Sequence, residues 1–335
     1  MPWPGYAHGA PTVTSVCAGG QGWYEAGVRP GLYAIVDVEH PHGLDPAAVA
    51  RAMLGDRPAG GTHGASVIQL RAKDATTAQR TAWAQAIVAV CRPHGVPVVV
   101  NDDVEAATAS GADGVHLGQD DPGARDIATT MQTMAVGLST HDLGQLRDAG
   151  RLGPTYLAYG PVRATSSKAN PDPTVGLDGL LDAARIAARP LVAIGGLDAT
   201  HGARAIEIGA SAVAVIGALV HGSLDAIEAA AVELSRSFEA AGRPLELDEV
   251  AAKIPVLEPD LLAELARWGD SLGTHVQLKL PARFRPWVED GRPQYRPCDV
   301  MDLVHALGKR PGETWAQWQD RVPEEEGRVI ALRRR

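Results

Sequence analysis

The sequence predicts an α/β protein built on a (β/α)8 TIM barrel, with an irregular N-terminal arm and a small mixed C-terminal appendage. Three observations carry this. Eight short apolar runs of strand length recur from Gly31 onward, and Ala-rich segments with helical spacing separate them. About 200 residues hold all eight, which suits a small barrel. No GxGxxG follows the first run, which weighs against a dinucleotide-binding open sheet, although alternation alone leaves a doubly wound sheet as the competitor.

Residues 1–30 are rich in Gly, Pro and small polar residues without a sustained period, and read as the arm. Strands are expected at Leu32–Val36, Ala65–Leu70, Val96–Val100, Gly114–Leu117, Met134–Leu138, Thr155–Tyr159, Leu191–Ile194 and Ala212–Ile216. Helical spacing marks Thr77–Cys91, Val104–Ala109, Asp142–Ala149, Leu177–Ala188, Thr200–Ile208 and Ser223–Phe238. The barrel domain therefore runs over 31–242. Beyond it the rhythm stops: 243–335 carries several Pro and Trp residues, helix candidates at Pro259–Trp268 and Asp299–Leu307, and a strand-like His275–Leu280. This region gives no functional signal.

Composition narrows the function classes. The 335 residues include 31 Lys+Arg against 40 Asp+Glu, a formal charge of −9, so neither nucleic acid nor an anionic membrane is expected as a main partner. No run reaches the roughly 18 apolar residues of a membrane span, and the N-terminus lacks the pattern of a signal peptide. The cysteines, Cys17, Cys91 and Cys298, are far apart and form no CxxC, which fits a reducing cytoplasm. Small-molecule substrates are the expected partners, and a homo-oligomer is compatible with the sequence.

A barrel places its chemistry at the C-terminal ends of its strands. The second strand leads through Gln69, Arg71 and Lys73, which the strand period puts on one side, a set suited to an anionic group. The third ends in Asn101-Asp102-Asp103, and the fourth runs into Gln119-Asp120-Asp121. These carboxylates either cap the helices that follow or hold a divalent cation such as Mg²⁺ beside a phosphate, one of each pair serving each purpose. Ser139 either donates to a phosphate or caps a helix; His141 is either a proton carrier or a solvated loop residue. The long loop from Gly160 through Thr165, Ser167 and Lys168 reads as a lid over an anion. Glycines after strands seven and eight, Gly195-Gly196 and Gly217, suit backbone contacts to a phosphate. Together these point to a Mg²⁺-assisted reaction at a diphosphate, with a second phosphate held by the glycine loops.

The motifs LYAIVD, QLRAKD, NDDVEAATASGADGVHLGQDD, GLSTH, GPVRATSSK, AIGG and VAVIGA resemble, in unbroken order over residues 31–222, the thiamine-phosphate synthase family. The resemblance implies a TIM barrel that joins hydroxymethylpyrimidine diphosphate to a thiazole phosphate and releases pyrophosphate. It implies Gln69, Arg71, Lys73, Asn101, Ser139 and Lys168 as holders of the pyrimidine diphosphate. Asp102 and Asp121 become the Mg²⁺ ligands, and Thr165, Ser167, Gly196, Ile216 and Gly217 the thiazole-phosphate pocket. Arg71, Lys73 and Lys168 would neutralise the leaving group. Three departures stand out: Ser167 for a threonine, Ala164 for a residue that is often proline, and Gly217 for a frequent serine. The segment through Asp56–Gly61 is also longer than usual. Two other readings are a thiazole tautomerase on the same fold and a thiamine-phosphate sensor with 243–335 as its output. Neither requires the complete diphosphate and metal set found here.

Overall fold

In the computed structural model the described residues are 31–39, 43–119, 121–131, 133–165, 172–187, 189–219 and 222–242, with the backbone of 287–289 and 292–294. The arm, Ser167, Lys168 and the elements expected at 259–268, 275–280 and 299–307 lie outside them. The chain divides into two units, Met1–Ile206 with Ala210–Ala241, and Glu207–Gly209 with Gly242–Arg335. Within 243–335, the described backbone is an antiparallel hairpin of Trp287–Glu289 and Arg292–Gln294, which the sequence pattern does not signal.

The first unit is a closed barrel of eight parallel strands in sequence order. They are β1 (Gly31–Asp37), β2 (Ala65–Arg71), β3 (Val98–Asn101), β4 (Gly114–Leu117), β5 (Ala135–Thr140), β6 (Tyr156–Tyr159), β7 (Leu191–Ile194) and β8 (Ala212–Val215). Pairing of Leu32 with Val213 closes the ring. Each strand is followed by a helix: α1 (Pro46–Met53), α2 (Thr77–Cys91), α3 (Val104–Ser110), α4 (Ala124–Thr130), α5 (Leu143–Arg151), α6 (Gly176–Ile186), α7 (Ala199–Ile208) and α8 (Leu224–Ala241). The open-sheet alternative is thereby excluded.

Local chemistry explains where these elements begin. Asp45 accepts from Ala48 N at 2.8 Å and Pro46 fills the first turn of α1, an eight-residue helix absent from the sequence expectation because it is too short to show a sustained helical period. Thr76 and Gln79 form a reciprocal capping box at α2. The long segment before β2 makes a 3-10 turn at Arg57–Ala59, tied down by Asp56, which accepts from His63 N at 2.7 Å.

Strand alternation divides the core in two. Leu32, Ala34 and Val36 face one side of β1, while Tyr33 and Ile35 enter the barrel with Val67, Val99, Tyr156, Ala158, Val192, Ala212 and Ala214. Gly137 of β5 makes room for this layer: a Cβ there would overlap the Tyr156 ring and its hydroxyl. β5 also runs two residues past its expected end, so Ser139 is an inward strand residue and not a loop residue.

Candidate active site

Above the apolar layer, at the C-terminal ends of the strands, lies a cavity of about 540 Å³. The inward period of two brings Gln69 and Arg71 to it from β2, and Lys73 joins them from the turn that follows. Asn101, Asp102, Asp121 and Ser139 reach it from β3, β4 and β5, and Thr165, Gly196, Ile216 and Gly217 from the opposite wall. Eleven of the thirteen residues that the resemblance assigns to the site thus share one cavity; the other two, Ser167 and Lys168, are outside the described residues.

Arg71 is held in place. Its Nη1 meets Asp37 Oδ2 at 2.6 Å and Glu39 Oε2 at 3.2 Å. Asp37 lies opposite Arg71 in the β1–β2 register, and Glu39 also accepts from Asp74 N at 2.9 Å. One edge of the guanidinium is used by these carboxylates, which orients the rest toward the cavity. Sequence reasoning missed both, although the Asp closing LYAIVD was a signal once the register is known.

The carboxylates of Asp102 and Asp103 separate by role, whereas α4 begins after Gly123 without a side-chain cap and Asp120 lies outside the described residues. Asp103 caps α3, accepting from Ala106 N at 2.8 Å, and receives Thr77 Oγ1 at 2.9 Å and Arg80 Nη1 at 3.0 Å. Asp102 instead adopts a left-handed φ of 63° and turns into the cavity. Burial pushes the Asp102 carboxyl up to about 6, reinforced by the charge of Asp121 and a hydrogen bond with it, and opposed by Lys73 and Arg71. Asp121 also accepts from Gly118 N at 2.7 Å. Two converging carboxylates, desolvated and mutually repelling when ionised, could hold a hard divalent cation. Among the described residues no group of three or more His, Cys, Asp or Glu is placed to do so. A pair supplemented by substrate oxygens is the arrangement that magnesium-type sites use.

Beneath the carboxylates, a buried polar chain crosses the barrel. Gln69 Nε2 donates to Asn101 Oδ1 at 2.9 Å, and Tyr33 Oη donates to Gln69 Oε1 at 2.7 Å. Tyr33 and Tyr156 hydroxyls are 2.8 Å apart; His116 Nδ1 lies 3.0 Å from Tyr156 Oη, and His116 Nε2 lies 2.8 Å from Ser139 Oγ. Tyr156 stacks on the imidazole at 5.6 Å. Burial raises both phenols and pushes His116 down to about 4, keeping the imidazole neutral. Tyr33, Tyr156 and His116 were not among the sequence candidates, since a lone aromatic or His in an apolar strand reads as core.

On the far wall, Gly195 (φ 100°) and Gly196 (φ 63°) allow close backbone approach. A Cβ at Gly195 would lie 2.5 Å from Pro161, and one at Gly196 would strike the Ala164 carbonyl, while Arg163 N donates to Gly195 O at 3.0 Å. These glycines therefore seat the loop after β6 as well as lining the cavity. Gly217 has open space where a Cβ would stand. His141 is partly buried: its Nδ1 donates to Gly160 O at 2.7 Å, and its Nε2 faces Asp172 at 3.6 Å.

A (β/α)8 barrel with cations and a carboxylate pair converging at the C-terminal strand ends is an enzyme fold equipped for an anionic substrate. Comparison with known proteins narrows this class. The family model for thiamine monophosphate synthase matches residues 32–219. The chain is 36% identical over 203 residues to thiamine-phosphate synthase of Chloroflexus aurantiacus, covering 61% of this chain and 90% of that protein. It is 38% identical over 192 residues to the Chlorobium phaeovibrioides enzyme of the same name, covering 57% and 87%. The solved thiamine phosphate pyrophosphorylase of Pyrococcus furiosus superposes with a TM-score of 0.54 at 27% identity, covering 64% of this chain and 97% of that one. The chain belongs to the thiamine monophosphate synthase family.

Proposed function

We propose that this protein is a thiamine-phosphate synthase. It joins 4-amino-2-methyl-5-hydroxymethylpyrimidine diphosphate to 4-methyl-5-hydroxyethylthiazole phosphate, giving thiamine phosphate and pyrophosphate. The observation that carries the reading is the convergence of Gln69, Arg71, Lys73, Asn101, Asp102, Asp121 and Ser139 on one cavity in a member of this family. The barrel over 31–242 is the catalytic domain.

The pyrimidine diphosphate binds on the β2–β5 side, with its leaving group toward Arg71 and Lys73. The bond from the methylene carbon to the diphosphate oxygen breaks, and the aminopyrimidine ring delocalises the positive charge that develops. The thiazole nitrogen then forms the new C–N bond with its lone pair. Neither step needs a protein nucleophile. Asp102 and Asp121 would hold Mg²⁺, which supplies further neutralisation of the leaving diphosphate. Arg71, oriented by Asp37 and Glu39, offers fixed positive charge without reorganisation. Lys168 would add to it from the loop after β6. Thr165, Ser167, Gly196, Ile216 and Gly217 receive the thiazole phosphate, so that the acceptor is placed before the bond breaks.

The test is pyrophosphate release by the purified full chain. Release requiring both substrates and Mg²⁺, and lost in Asp102→Asn, is expected. Isomerisation of a thiazole carboxylate phosphate without coupling would instead make the protein a tautomerase. Binding of thiamine phosphate with no turnover of either kind would make it a sensor. It is a cytoplasmic enzyme of small-molecule metabolism in this reading, and among the described residues no helix is long and apolar enough to cross a membrane.

A further inference from the structure

The polar chain through the barrel has a sense, and proton counting fixes it. Gln69 gives one amide hydrogen to Asn101 and receives the single hydrogen of Tyr33. Tyr33 therefore has none left for Tyr156, so the Tyr156 hydroxyl donates to Tyr33 across the 2.8 Å contact. Tyr156 in turn has none left for His116, and the 3.0 Å contact requires hydrogen on His116 Nδ1. A neutral imidazole carries one hydrogen, so Nε2 is bare and the 2.8 Å contact uses the hydrogen of Ser139. Every link is determined by the one before it. The chain could run the other way only if the Gln69 and Asn101 amides both turned over and all four groups beyond them reversed together.

Both ends of the chain open into the cavity. At one end the Asn101 carbonyl is used by Gln69, leaving the Asn101 amide hydrogens facing inward as donors. At the other, the Ser139 hydrogen points down to His116, so Ser139 presents lone pairs alone. Resting on the reaction proposed above, we infer that Tyr33, Tyr156 and His116 are positioning residues that hold Asn101 and Gln69 as donors and Ser139 as an acceptor toward the pyrimidine. Ser139 then pairs with an N–H donor. The exocyclic amine is the only such donor on the pyrimidine diphosphate, whose ring nitrogens and phosphate oxygens all accept. The chain thus selects an amino-substituted ring over an oxo-substituted one, and Ser139 does not hold the diphosphate.

Two measurements test this. In full-length protein carrying ¹⁵N-labelled histidine, with the His116 signal identified by its absence from His116→Gln, the proton is expected on Nδ1 with Nε2 bare. Tyr156→Phe should abolish that preference, because the acceptor for Nδ1–H is gone. A proton on Nε2 in the native chain would overturn the assignment, and this readout needs no substrate. For specificity, the 4-oxo analogue of the pyrimidine diphosphate should bind the native enzyme at least 10-fold more weakly than the amino compound. Ser139→Ala should narrow that gap while leaving the KM for the thiazole phosphate unchanged. Equal binding of both rings by the native enzyme would refute the selection. If the native chain catalyses no coupling, the reaction assignment falls, and the tautomer still decides the sense of the chain.

Discussion

Gly137→Ala is a substitution that the barrel interior should tolerate poorly. An added Cβ would lie within 2.5 Å of the Tyr156 ring carbon that bears the hydroxyl, of the hydroxyl oxygen and of a second ring carbon. Tyr156 is 1% exposed, and its hydroxyl is held by Tyr33 and His116, so the ring can swing toward the cavity only by breaking those bonds. Overpacking of this kind costs about 1–3 kcal/mol, and a lost hydrogen bond adds about 1 kcal/mol. The sum, about 3 kcal/mol, corresponds to a fall in Tm of roughly 6–12 °C for a domain of this size. Urea unfolding of the full chain measures it, and a double-mutant cycle identifies its origin. In a Tyr156→Ala background the added methyl meets a cavity, so Gly137→Ala should cost less than about 0.5 kcal/mol there, a coupling of more than about 2 kcal/mol. An equal cost in both backgrounds would refute the collision as its cause.

Three other outcomes are expected. Asp37→Asn removes the shorter of the two ion pairs on Arg71 and should raise the KM for the pyrimidine diphosphate about 5- to 30-fold, equivalent to about 1–2 kcal/mol, with the thiazole-phosphate KM unchanged; steady-state kinetics varying each substrate in turn checks it. Gly217→Ser places a hydroxyl in open space beside the proposed thiazole-phosphate pocket, and one new hydrogen bond of about 1 kcal/mol should lower that KM about fivefold. His116 has a folded-state value of about 4 against 6.5 when unfolded, so between these the unfolded chain binds the extra proton. Acidification from pH 7 to 4 should therefore cost up to about 3 kcal/mol through this residue. Stability curves should show His116→Gln losing that much less than the native protein over the same window, with no further divergence below pH 4.

Much of the barrel was legible because its signals are periodic. Strand alternation placed Gln69 and Arg71 on one face, and the strand-end rule brought Asp102, Asp121 and Gly196 to the same mouth. The residues that escaped notice depend on neighbours distant in sequence. Asp37 matters because the β1–β2 register sets it opposite Arg71. Tyr33 and Tyr156 are 123 positions apart and touch only because the ring closes. Read singly, each is a core aromatic, and Gly137 is an isolated strand glycine whose purpose appears only when the Tyr156 ring is seen to occupy its face. Adjacent Asp102 and Asp103 could not be told apart by type, since both suit a cap. Backbone geometry separates them.

That geometry also limits how the carboxylate pair can be engineered. Asp102 and Asp103 point in opposite directions from one peptide unit, the first inward with φ of 63° and the second outward onto α2 and α3. Asparagine, like aspartate, offsets the Cβ penalty of such a backbone through local hydrogen bonds of its short polar side chain, whereas alanine carries the Cβ without that compensation. An Asp102→Ala variant would mix loss of charge with a twist of the chain, and that twist would reach Asp103 and through it the starts of two helices. Only the amide isostere deletes the charge and leaves the hinge between barrel wall and helical shell as it stands.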